Sequence, residues 1–94
     1  MNLEKSKKRI AKKVKMGFQG YPKIVIQYIG ETAAYAAGVS ISYVEESGAD
    51  AQEETFSSKI DARENDVIQS AIVKMIERSG AKTVEQGEGV LVSV

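Results

Sequence analysis

The chain of 94 residues has no cysteine, no histidine and no tryptophan, and only one proline. Each absence removes chemistry. Without cysteine there are no disulfides, no thiolate metal sites and no thiol nucleophile. Without histidine the commonest general base and the commonest zinc ligand are gone. No side chain with an ordinary pKa then titrates between about pH 5 and 8. Long apolar runs are also missing. Nothing approaches the ~20 residues that cross a bilayer, and no apolar signal segment follows the basic N-terminus. These absences predict a cytoplasmic protein with no integral membrane contact, no metal and no cofactor.

What is present is ordinary for a folded domain: 43% hydrophobic and 28% charged residues. That balance argues against general disorder, and the length suits one domain with its own core. We expect a basic N-terminal arm or helix over residues 1–20 and a single small α+β domain over 21–94.

The formal net charge of zero hides a polar distribution. Residues 1–23 hold eight cations, Lys5, Lys7, Lys8, Arg9, Lys12, Lys13, Lys15 and Lys23, against the single anion Glu4. The remainder is as strongly acidic, and most of its carboxylates lie between Glu45 and Asp66. A chain that separates its charges this way suggests two distinct surfaces.

Periodicity predicts the elements. Leu3, Ile10, Ala11, Val14 and Phe18 share a narrow helical stripe, with lysines over most of the rest, which predicts a cationic helix over about 3–16. "GFQGYP" breaks it. "KIVIQYI" is a β-branched run suited to a central strand. "VSISYVEE" alternates as a half-buried strand, and "QEETFSS" is polar enough for an edge. Val67, Ile68, Ala71, Ile72, Met75 and Ile76 predict a helix over about 62–79, with Asp61 and Glu64 at N-cap and N3 spacing and Gly80 closing it. "GEG" at 87–89 suggests a hairpin turn inside a terminal strand pair, or else one C-terminal strand.

The predicted fold class is therefore α+β in the order α-β-β-β-α-β: an antiparallel sheet of three to five strands, one main helix packed on it, and the basic helix or arm in front. The predicted core is Ile24, Ile26, Tyr28, Val39, Ile41, Tyr43 and Phe56 together with the six apolar residues of the main helix. Val73 is expected to point away from it.

Two families share pieces of this order. Helix–strand–strand–strand–helix resembles a double-stranded-RNA-binding domain, which implies a lysine cluster at the start of the last helix. That place here is "DARENDV", whose three carboxylates repel phosphate. "IVKMIERSGAKTV" resembles the helix-to-strand passage of a KH domain, which implies a Gly-x-x-Gly loop just before the helix. That place here is "REND", and the one such spacing, Gly17 to Gly20, lies far upstream. Neither family's chemistry is carried by the matching residues.

Other constellations have plainer explanations. "GEG" lacks the third glycine and the following helix of a phosphate loop. "DARENDV" lacks calcium-loop spacing. Ser57, Ser58 and Lys59 lie together, but neighbours on a strand diverge. We therefore expect no enzyme. The strongest candidate is the arm: clustered lysines gain affinity for phosphate backbones by counterion release, and aromatic rings nearby offer stacking surfaces. This predicts contact with RNA or DNA through Lys8, Arg9, Lys12, Lys13, Lys15, Phe18, Tyr21 and Lys23, with Tyr28 as a further ring. The competing expectation is a protein-interaction module, an adaptor or inhibitor, or self-association. It would use the acidic 45–66 region, with Glu45, Glu46, Glu53 and Glu54, or a sheet edge. A solvated tail, or an arm docked on the chain's own acidic segment, would leave no function to the lysines.

Overall fold

The computed structural model describes residues 2–92. Helix α1 runs over Leu3–Lys15, strands β1, β2 and β3 over Lys23–Gly30, Gly38–Val44 and Gln52–Ser57, helix α2 over Asp66–Ser79 and strand β4 over Thr83–Val92. A 3₁₀ turn, Ala62–Glu64, precedes α2. This is the α+β order expected from the sequence.

The four strands form one sheet in the order β3-β2-β1-β4. β1, β2 and β3 pair antiparallel, whereas β4 pairs parallel to β1. The sheet is therefore mixed, and the departure from an all-antiparallel sheet has a simple cause. A helix between two strands returns the chain to the end where it started, so the next strand runs in the original direction. The "KIVIQYI" segment takes the central place the sequence suggested, with β2 on one side and β4 on the other.

β1 alternates strictly between half-buried and buried positions. Ile24, Ile26 and Tyr28 face the helices and pair with Tyr43, Ile41 and Val39 of β2. The opposite face, with Val25, Gln27 and Ile29, is only half covered. The core joins Ile24, Ile26, Tyr28, Val39 and Ile41 to Ile68, Ile72, Val73 and Ile76 of α2 and Ile10 of α1. Tyr43, Phe56 and Met75 pack on its margin.

Helix α2 differs from its sequence-based expectation in start and in face. Asp61 accepts the Arg63 N–H and so caps the 3₁₀ turn. The α2 cap is Asn65, whose Oδ1 accepts from the N–H groups of Val67 and Ile68. The predicted Asp61–Glu64 box therefore belongs to the turn, because Asn65 offers the same capping chemistry four residues later. Gly80 ends α2 in the left-handed region, with φ of 67°, as a C-terminal glycine should.

The buried face of α2 is rotated by roughly 80° from the predicted stripe, at 3.6 residues per turn. Val67 is 72% exposed and Val73 is buried at 3%. The reason is a third packing partner. α1 lies alongside α2 and over β4, so α2 is covered on its flank as well as on its sheet side. In α1 itself Ile10 and Ser6 are buried, Leu3 and Val14 are half-buried and Ala11 is exposed, and Phe18 lies exposed beyond the end of the helix. The predicted stripe held Ile10 correctly but ran one side too far.

The terminal strand pair is a single strand with a bulge. Gln86 pairs with Ile26 and Val90 with Tyr28, so the three "GEG" residues stand opposite Gln27 alone and β4 carries two extra residues. Gly89 adopts φ of 58° there, a conformation open to glycine at no steric cost.

Candidate functional site: a lysine ridge on the N-terminal helix

Helix α1 is ordered against the body of the domain. Asn2 opens it by accepting the Lys5 N–H at 2.9 Å. Ile10 is its deepest anchor, 3% exposed. Two ion pairs flank that anchor. Lys7 Nζ is 2.9 Å from Glu64 Oε1, and Arg9 Nη1 is 3.1 Å from Glu77 Oε1. The Glu64 hydrogen bond also lifts the Lys7 pKa above its ordinary value.

On the helical wheel Lys5, Lys8, Lys12 and Lys15 lie opposite Ile10, along the outer ridge. All four are exposed. Among the described residues none of them, nor Lys13 on the flank, makes an ion pair. The ridge spans about 15 Å at 1.5 Å per residue. Of the residues predicted to meet phosphate, then, Lys8, Lys12, Lys13 and Lys15 are uncommitted, and Arg9 is held by Glu77. Lys5 belongs to the ridge and was not singled out from sequence, although its spacing to Lys8, Lys12 and Lys15 was the available signal.

The aromatic residues divide. Phe18 is 64% exposed and stands edge-on to Tyr21 with ring centroids 5.5 Å apart. They lie in the loop after α1, which Thr83 pins by accepting from Gln19 N–H and donating to the Gly20 carbonyl. Lys23, at the start of β1, is 3.6 Å from Glu85. Tyr28 is not the stacking surface expected. It is 4% exposed on the helix-facing side of the sheet, and its hydroxyl accepts from Gln69 Nε2 at 2.8 Å. β1 alternation placed its ring among core residues, and that reading prevails. The half-covered outer face of the sheet carries no aromatic ring among its paired positions, so it offers no stacking platform of the kind single-strand binders use.

The four acidic residues singled out from the sequence lie toward the β3 side of the sheet, away from β4. Glu53 and Glu54 are exposed on β3, the edge strand farthest from β4, and Glu45 and Glu46 are exposed just after β2. α1 sits over β4 and α2. Among the described residues, Glu64 is the one carboxylate of the 45–66 region that forms an ion pair with the basic helix. The charge separation of the sequence is thus also a separation in space.

Beside α1, the Ala62–Glu64 turn is held by a clamp. Arg63 donates Nε and Nη2 to Asp61, at 2.9 and 2.6 Å, and Ala36 N–H donates to the same carboxylate at 3.2 Å. Arg63 holds the Asp61 carboxyl well below the usual carboxylate range, and the backbone donors add to this. Burial pushes the Tyr28 phenol up. Ser58 and Lys59 lie beyond β3. The Ser58 hydroxyl donates to the Ile60 carbonyl and accepts from Asn65 Nδ2, so it is committed to the loop. Among the described residues no cluster of three or more acidic side chains is placed to hold a metal ion, and no helix is long and apolar enough to cross a membrane. No protein-family model, no curated protein and no solved structure matches the chain.

Proposed function

We propose that the chain is a small non-enzymatic nucleic-acid-binding protein that meets phosphates with the outer ridge of α1. The carrying observation is the division of labour among its cations. Lys7 and Arg9 are paired with the body and dock the helix, while Lys5, Lys8, Lys12 and Lys15 face outward with no ion pair among the described residues. A row of ammonium groups on a docked helix presents its charge at low ordering cost, and a polyanion gains entropy by shedding counterions onto it. The ridge holds lysines alone, flexible point charges without the rigid planar fork of Arg or the amide pair of Asn and Gln. The binding is therefore insensitive to sequence. Phe18 and Tyr21 stand beyond the C-terminal end of the ridge as a stacking edge for an unpaired base.

The test is a salt titration of binding to a mixed-sequence duplex. Four phosphate contacts give a slope of log K against log salt of about −3.6 on B-DNA. Replacing Lys5, Lys8, Lys12 and Lys15 by Gln should flatten that slope nearly to zero. An unchanged slope and affinity in the quadruple variant would remove the proposal.

The acidic edge supports a second reading, a protein-interaction module. β3 is a sheet edge whose Glu53 and Glu54 are exposed beside Glu45 and Glu46. It predicts a basic protein partner that is lost when those four are changed to Gln, with the duplex titration unaffected.

A further inference from the structure

A cleft of about 470 Å³ opens between the inner flank of α1 and the Asp61–Glu64 turn, with Tyr28 of β1, Gln86 of β4 and Gln69 of α2 also lining it. That volume is in the range of small-molecule sites. Its polar floor is built from two core residues, Tyr28 at 4% and Gln69 at 2% exposure. Gln69 Nε2 is fully engaged, donating to the Tyr28 hydroxyl at 2.8 Å and to the Ala62 carbonyl at 3.0 Å. The Tyr28 hydroxyl therefore accepts one bond, and it donates none among the described residues. A phenol can do both, so a donor stands unused at the floor of the cleft.

The rim is cationic. Lys7, Lys15 and Arg63 line it against Asp61 and Glu64. Each carboxylate already has its own cation, Asp61 with Arg63 and Glu64 with Lys7. Lys15 is left without a carboxylate among the described residues. One wall is apolar, formed by Ile10 and Val14 of α1. An uncommitted phenol proton, an uncommitted ammonium group and an aliphatic wall within one cleft define the complement of an amphipathic anion.

We infer that this cleft binds a small molecule with one oxyanion, a carboxylate or a phosphate monoester, on a compact apolar body. The oxyanion accepts the Tyr28 proton and faces Lys15, and the apolar body lies on Ile10 and Val14. The cleft is lined mostly by polar and charged groups with one apolar wall, which suits a charged ligand, and charge assistance strengthens each contact. The inference is independent of the lysine ridge except for Lys15, so it is tested with small anions rather than with a polymer.

Benzoate and phenyl phosphate, the carboxylate and phosphate arms, would be titrated into the full chain and followed by amide and side-chain NMR shifts. At least one should bind saturably with a Kd below about 1 mM. The shifts should centre on the Gln69 side-chain amide, the Arg63 Nε–H and residues 10–14. Tyr28→Phe keeps the ring, and it should weaken binding about tenfold, the worth of one good hydrogen bond. Lys15→Gln supplies the same readout from a surface position, should the first variant fail to fold. Two results would overturn the inference. One is no saturable shift with either probe up to about ten times that Kd. The other is shifts confined to Lys5, Lys8 and Lys12 that are indifferent to Tyr28→Phe, which marks general anion association on the ridge.

Discussion

Lys7 of α1 and Glu64 of the turn before α2, 57 positions apart in the chain, meet at 2.9 Å. With the Arg9–Glu77 contact this pair accounts for all the ion pairing between the basic helix and the body among the described residues. Self-neutralisation thus reaches the flanks of α1 and stops short of its ridge.

The paired cations give the first prediction. Changing both Glu64 and Glu77 to Gln frees Lys7 and Arg9. Both pairs are largely exposed, so each loss should cost less than about 1 kcal/mol of stability. If the α1 surface binds nucleic acid, the same double variant should bind more tightly, with a salt slope steeper by about 1–2. Weaker or unchanged binding in a folded double variant would count against the ridge.

Two valines in one helix give the second. Val73 is buried between α1 and α2, and Val67 is exposed. Val73→Ala should cost about 1–3 kcal/mol, from two lost methyl groups and the space they leave. Val67→Ala should stay within about 0.5 kcal/mol of the parent. Denaturant midpoints at constant m-value decide this, and equal costs would mean α1 does not pack as described.

Ser6 gives the third. It is fully buried on α1, and its hydroxyl has no hydrogen-bond partner among the described residues. Burying an unsatisfied hydroxyl is unfavourable, and Ala is the better helix former. Ser6→Ala should therefore raise stability by about 1 kcal/mol. A drop in the unfolding midpoint would show that the hydroxyl has a partner in solution.

Asp61 supplies a pH dependence. Its folded carboxyl is held below the ordinary range, first by the Arg63 side chain. In the unfolded chain it titrates near the usual value of about 3.9. As pH falls through that value the unfolded state takes the proton first, so stability is lost on the acid side and is complete above it. Asp61→Asn should flatten the wild-type fall in urea midpoint below about pH 4. Parallel curves for the two proteins would exclude the clamp as the source.

Much of the architecture could be seen in the residues because it depends on local pattern. The continuous apolar run "KIVIQYI" marked the central strand, the alternation of "VSISYV" set which of its side chains face inward, the polar "QEETFS" marked an edge, and Gly80 marked the end of α2. Failures came where two surfaces compete. A six-residue apolar stripe on α2 does not say whether its partner is a sheet alone or a sheet and a helix, so Val67 and Val73 exchanged roles. Gln69 was invisible for a similar reason. A glutamine is ordinarily a surface residue, and only the positions of Tyr28 and the Ala62 carbonyl make its burial tolerable.

The sequence by itself determined the separation of charge, the inward-facing residues of the first three strands and the existence of a lysine-rich helix, because these follow from composition and short-range periodicity. Tertiary structure alone decided which lysines are occupied and where the carboxylates lie. It also decided that Tyr28 floors a cleft rather than stacking in the open. Those outcomes depend on contacts between residues tens of positions apart, and their geometry is set by how α1 and α2 pack against each other and the sheet.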